Sequence, residues 1–227
     1  MSQQLSFDLP MRTALGRDDF FVSPSNALAV SLIDTPESWT NNKLVLVGPE
    51  GSGKTHIAHV WAAQSGATIV PALELNEDMV PSLLRSPVTV EDADQIAGNR
   101  DLETTLFHLH NLAQAEGQPL LITARKPPQR WAISLPDLAS RLQALQIAQI
   151  EAPDDTLLTV LLMKLFADRQ LNPAPDVIPF LAKRIERSFT AAQSIVSALD
   201  KASLEQGRPL TRAFASATLD KALAGHT

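Results

Sequence analysis

Apolar and polar positions follow one rhythm up to about Pro153 and another after it. In the first part, short apolar runs stop at glycine, proline or acidic residues and give way to stretches of helical period. Lys43 to Val47 (KLVLV) runs into a glycine loop and predicts a buried strand. TIV at 68–70, PVTVED at 87–92 and PLLITA at 119–124 predict three more. Helices are expected from Lys54 to Ser65, over 76–85 and over 100–116. An earlier one is expected from Pro24 to Ile33, with Ser23 as N-cap and proline at the first helical position. Strands alternating with helices imply a parallel sheet with helices on its faces.

Beyond Pro153 no strand is expected. Residues 155–170, 174–187, 190–206 and 211–223 predict four helices, separated by proline, glycine and capping residues. The expected organisation is a flexible polar tail over 1–17, an α/β base over 18–152 and a small all-helical lid over 153–227.

Composition narrows the functional classes. The 227 residues carry 19 basic and 25 acidic side chains, a net charge of -6, the wrong sign for holding nucleic acid mainly by neutralising phosphates. No direct sequence-specific DNA binding is expected. Without cysteine there is no disulfide framework and no thiolate metal site. The opening residues lack a secretory pattern, and no apolar run approaches the ~20 residues of a membrane span, so the cytoplasm is the expected compartment, with no membrane partner.

The chemistry begins at GPEGSGKT, residues 48–55, which fits G-x-x-x-x-G-K-[ST]. Backbone N–H groups of such a loop surround phosphates, Lys54 neutralises the β/γ oxygens, and the Thr55 hydroxyl ligates Mg²⁺. Gly48, Pro49, Glu50, Gly51, Ser52, Gly53, Lys54, Thr55 and His56 are therefore candidate nucleotide contacts. Glu91 and Asp92, at the end of an apolar run, supply the acidic partners expected for the metal, with glutamate where aspartate is commoner.

Further segments resemble the DnaA/Hda branch of the AAA+ P-loop ATPases over most of the chain. FFVSPSN at 20–26 is similar to the branch's FVVGxSN segment, and the loop with His56 to its GxxGxGKTH. VEDADQIAGN resembles IDDIQxLAGK, LLITARKPP at 120–128 resembles the strand and PP loop that follow, and LPDLASRL at 135–142 resembles the box with the arginine finger. LAKRIERSFTAAQSIVSALDKAS at 181–203 is similar to the lid helices that carry sensor II. The resemblance implies an AAA+ base with a helical lid, holding ADP or ATP with Mg²⁺.

Two features separate this chain from DnaA itself. It ends after the lid, without the helix-turn-helix domain, and it opens on QLSFDL in place of the helicase-contact domain. Gln4, Leu5, Ser6, Phe7, Asp8 and Leu9 are similar to the peptide that docks on the β sliding clamp of DNA polymerase III. In an extended segment Leu5, Phe7 and Leu9 share one face and could enter an apolar groove; packing on the chain's own domain is the alternative. A truncated core with such a tail points to the Hda type within the branch.

At the finger position stands Arg141, which on residue type alone would be a snorkelling helix-end arginine. In the branch, this residue reaches across a subunit boundary and stabilises phosphoryl transfer on a neighbour's ATP, worth ~10³–10⁵ in rate. Two departures weaken turnover of the protein's own ATP. Thr190 replaces the sensor II arginine, with Arg184 and Arg187 out of register, and Arg125 occupies an acidic position after the fourth strand. The implied function is hydrolysis, in trans, of DnaA-bound ATP while tethered to the clamp, restraining re-initiation, with weak or no intrinsic ATPase. A homo-oligomer is compatible with this. The alternatives are an autonomous ATPase, such as a helicase loader, and a clamp-bound scaffold. His56, His59, His108 and His110 are expected on helix surfaces, and Trp61 and Trp131 in the core or an interface.

Overall fold

The structure, a computed structural model, describes residues 21–224. The expected tail, with Gln4, Leu5, Ser6, Phe7, Asp8 and Leu9, lies outside the described residues. The chain forms α1 (Ala27–Asp34), β1 (Lys43–Val47), α2 (Lys54–Ser65), β2 (Thr68–Pro71), α3 (Val80–Leu83), β3 (Val88–Glu91) and α4 (Arg100–Ala115). It continues through β4 (Leu120–Ala124), α5 (Pro136–Gln143) and β5 (Gln146–Gln149). The helices α6 (Asp155–Asp168), α7 (Val177–Ala182), α8 (Phe189–Gln206) and α9 (Arg212–Ala224) follow.

The five strands form one parallel sheet in the order β2-β3-β4-β1-β5. Side-chain alternation divides its apolar residues between two faces. Val45, Val47, Leu120 and Ile122 join a core with α3, α4 and α5, whereas Leu44, Leu46 and Leu121 join one with α1 and α2. Both faces are thereby buried, which is why β1 and β4 read as continuous apolar runs. Trp61 fills the second core, 5.1 Å from Trp39 between ring centres. Trp131 is buried at the edge of the first, its indole N–H donating to the Lys126 carbonyl at 2.6 Å.

The four C-terminal helices build a third core from Leu158, Leu162, Phe166, Leu181, Val196 and Phe214. Leu157 and Phe189 turn the other way and pack with α1, α2 and the sheet. No helix among the described residues is long and apolar enough to cross a membrane.

Three sequence expectations are corrected. The first helix begins at Ala27, not at Pro24, and its N-cap is Asn26, not Ser23. Asn26 closes a turn by accepting from the Ser23 amide at 2.8 Å and donating to the Phe21 carbonyl at 2.9 Å, leaving Pro24 in the turn. The stretch 76–85 contains only a 3-10 turn and the four-residue α3, since Pro81 lacks the N–H that a longer helix would use. Finally, β5 is a fifth strand that the apolar pattern does not announce. It is an edge strand flanked by Gln146 and Gln149, and pairing with β1 defines it.

Candidate nucleotide site

The phosphate loop leaves β1 at the carboxyl end of the sheet, where open α/β sheets bind ligands. Gly51 (φ +76°) and Gly53 (φ +89°) adopt the left-handed backbone that lets the loop fold over the start of α2. At Gly48 the space is closed: a Cβ would sit 2.7 Å from Ser52 Oγ and 3.0 Å from Ile150 Cβ. Lys54 is buried, and its ammonium donates to the carbonyls of Gly48 at 2.8 Å and Pro49 at 2.9 Å. Burial lowers its pKa, as does nearby Arg125, against the opposing pull of Asp92, Asp94 and Glu50. Ser52 Oγ is buried without a hydrogen-bond partner. A loop with a spare buried hydroxyl, a buried ammonium and glycine-shaped backbone fits an anionic phosphate chain.

The two acids expected as metal partners separate. Asp92 takes a left-handed conformation (φ +53°), which aspartate tolerates, and its amide donates to Thr123 Oγ1 on β4 at 3.0 Å. Its charge acts on Lys54. Glu91 lies beside α2, with Oε2 3.8 Å from His59 Nε2 and Oε1 buried without a partner. His59 is four residues after Thr55, so both occupy one helix face. Asp94, absent from the sequence reading, has a second orphaned buried oxygen and also acts on Lys54. Among the described residues no three His, Asp or Glu side chains converge on a preformed metal site. The donor set is instead an exposed threonine hydroxyl with carboxylates, which fits a Mg²⁺ that keeps waters and shares its shell with phosphates.

The lid closes over the loop. A Cβ on Gly51 would meet Phe189 Cβ and the Gln193 amide at 3.1 Å, and the Thr190 hydroxyl donates to the Glu50 carbonyl at 3.4 Å. Between them lies a cavity of about 240 Å³ lined by Phe21, Asn26, Ser52, His56, Leu161 and Phe189, among others. It has the size and mixed lining of a site for a flat heterocycle next to the phosphates. Phe189, Gln193 and Asp94 lie within VEDADQIAGN and LAKRIERSFTAAQSIVSALDKAS, but the resemblance gives these three positions no role, and only the fold brings them to the loop.

Of the two departures, Arg125 lies on the phosphate loop itself, with its guanidinium 2.9 Å from Glu50 Oε2 in an exposed pair. Arg187 is engaged with Asp155 at 2.8 Å, and Arg184 stacks on Phe180 at 4.3 Å, so neither replaces Thr190 at the loop.

Arg141 is elsewhere. It sits near the end of α5, exposed, with its guanidinium 5.7 Å from the Phe107 ring centre and no ion-pair partner among the described residues. Its charge acts on Lys43 and His110. Lys43 opens β1 and the phosphate loop follows its other end, so Arg141 lies towards the end of the sheet opposite the phosphate loop. His110 corrects the surface expectation: it is buried and neither ring nitrogen meets a hydrogen-bond partner, while His108 is exposed.

No family model matches the chain. Solved structures do share its fold. Domain III of the replication initiation protein DnaA from Thermotoga maritima superposes with a TM-score of 0.76 at 19% identity, covering 94% of this chain and 98% of that one. AMPPCP-bound DnaA from Aquifex aeolicus gives 0.67 at 16% identity, over 85% of this chain and 67% of that one. The Thermotoga maritima RuvB Holliday junction branch migration motor gives 0.60 at 16%, over 78% and 61%. The fold is the AAA+ P-loop fold: a five-stranded parallel sheet flanked by helices, with a helical C-terminal region.

Proposed function

We propose that this protein is a DnaA-related AAA+ regulator, with base 18–152 and lid 153–227, that binds adenine nucleotide in its own loop and delivers Arg141 to ATP held by a DnaA-type partner. The observation that carries this reading is the separation of Arg141 from the protein's own phosphate loop. An exposed, uncompensated guanidinium at the far side of the sheet cannot act in cis, and it is placed to enter a neighbour's site. The nucleotide part is supported by the loop geometry and by AMPPCP in a structure of the same fold.

In the protein's own site, loop amides and Lys54 bind and orient the phosphates, while Phe189 and Gln193 cover the loop and restrict water. Thr55, Glu91 and Asp92 would hold Mg²⁺, which supplies charge neutralisation between phosphate oxygens. With nucleotide in place, Leu157 and Phe189 would keep base and lid in one arrangement through their packing with α1, α2 and the sheet. In the partner's site, the guanidinium would stabilise charge developing on the transferred phosphoryl group. Gln4 to Leu9 would tether the protein to the sliding clamp and raise its concentration near DNA-bound DnaA. The outcome is conversion of ATP-DnaA to ADP-DnaA, in the cytoplasm, restraining new rounds of initiation.

One observation favours a second reading, an autonomous ATPase. Arg125 brings a cation to the loop in cis and could serve the γ-phosphate if it left Glu50.

The test is hydrolysis of DnaA-bound ATP with DNA-loaded clamp, comparing the unmutated protein, Arg141→Ala and Arg125→Ala. Stimulation that falls ~10³-fold or more with Arg141→Ala, while nucleotide affinity holds, is expected. Absent stimulation by the unmutated protein, with turnover on its own that depends on Arg125, would establish the second reading instead.

A further inference from the structure

The helix that carries Arg141 starts without a cap of its own. Its N-cap is Leu135, which has no side-chain acceptor, and Pro136 follows. The Leu135 amide, and the Ser134 amide before it, are met from another helix. Glu103, in the first turns of α4 and fully buried, accepts from the Ser134 hydroxyl at 2.6 Å, the Ser134 amide at 3.0 Å and the Leu135 amide at 2.8 Å. Its Oε1 also accepts from the Gly98 amide at 2.8 Å. One turn earlier, Arg100 donates to the Ser134 carbonyl at 3.3 Å.

Glu103 has no cationic partner among the described residues, so its burial is offset by these N–H and O–H donors alone. A carboxylate at the start of α5 is also favoured by that helix's dipole. Gly98 belongs to the turn that leaves the acidic end of β3 through the 3-10 helix Ala93–Ile96. One side chain therefore grips both the turn behind Asp92 and the beginning of the Arg141 helix. Leu138 and Leu142 keep the inner face of α5 in the core, with Leu135 packed against it at the start, so this packing and the Glu103 bonds together set the direction in which the helix leaves. From Leu135 to Arg141 the helix rises about 9 Å, so a tilt of about 6° moves the arginine's backbone by about 1 Å.

We propose that Glu103 is the positioning residue for Arg141, fixing the start of α5 against the turn after β3. Its catalytic consequence rests on the reading of Arg141 as a finger; its effect on position does not.

The chain has no cysteine, so Gln64→Cys on α2 and Arg141→Cys on α5 give a unique pair for spin labels. Pulsed dipolar distances in the otherwise unmutated chain should be narrow. Glu103→Gln, which points an NH₂ at N–H donors, should broaden or displace them. Ser134→Ala, which removes one of the four donors, should do so to a smaller degree and serves if the Glu103 variant does not fold. Unchanged distances in a folded Glu103→Gln protein overturn the proposal. With native Arg141, Glu103→Gln should reduce stimulated hydrolysis of DnaA-bound ATP by about 10²-fold. Combined with Arg141→Ala, it should add nothing, whereas a further loss in that background means Glu103 acts by another route and overturns the proposal. Altered distances without stimulation by the unmutated protein would sustain the positioning role and defeat the finger reading.

Discussion

Lys54 folds back on two carbonyls of its own loop, an arrangement that keeps a buried ammonium solvated by backbone until a stronger anion arrives. Lys54→Ala should weaken fluorescent ADP binding by about 10- to 10²-fold, the worth of charge-assisted hydrogen bonds, with an unchanged circular dichroism spectrum. His110 gives a separate, structural prediction. Burial, then the charges of Lys43 and Arg141, hold its pKa at about 4 against 6.5 in the open, with only the Asn111 side chain opposing. Between those values the unfolded chain takes up a proton that the folded chain refuses. Stability should therefore fall as pH drops from about 6.5 to about 4, and His110→Leu should remove that part of the slope in thermal melts. Glu103 acts in the same direction at lower pH: burial pushes its carboxyl up, but the Ser134, Gly98 and Leu135 donors outweigh it and hold the pKa down. Its contribution is lost as pH falls through that lowered value.

At the scale of elements, the contact between the phosphate loop and α8 decides how the lid sits. Gly51 combines a left-handed backbone with a 3.1 Å approach to Phe189 Cβ, so any side chain there meets both strain and collision. Gly51→Val should lower the melting temperature through ~1–2 kcal/mol of backbone strain and weaken nucleotide binding more than the strain alone explains, because α8 must move. Calorimetric titration beside thermal melts separates the two effects. Thr190 adds to the same contact: with its hydroxyl on the Glu50 carbonyl, the loop's outer rim is held by a short side chain.

For the whole molecule, the central fact is that the cavity beside the phosphate loop is lined by both the α/β base and the helices after Asp155. Leu157 and Phe189 reach from those helices into the base core, a small seam compared with the cores on either side. Ligand binding across the seam should couple the two. At ~100 times its dissociation constant, ADP should raise stability by ~2.7 kcal/mol and sharpen calorimetric unfolding towards one transition. Two transitions, of which only one rises with ADP, would show that the nucleotide contacts the base alone.

The sequence alone determined the alternation of strands and helices, the loop that follows β1 and the helical character after Pro153. Each of these is local: apolar period, glycine at left-handed positions and capping residues act within a few bonds of where they stand. Only tertiary structure decided the rest. Pairing with β1 turns QIAQ into a strand, and a distant carboxylate holds the start of the Arg141 helix through Ser134 and Leu135; His110, by contrast, stands four residues after Leu106 and three before Ala113, an inward position that helical period does mark. The acidic pair in PVTVED was visible, yet Asp92 acts on Lys54 at the start of α2 while Glu91 lies beside His59 further along that helix, a division that only packing sets. Arg141 lies away from its own phosphate loop because α5 closes just before β5, whose parallel pairing with β1 sets Gln146 beside Leu44, a pairing no single stretch of sequence encodes.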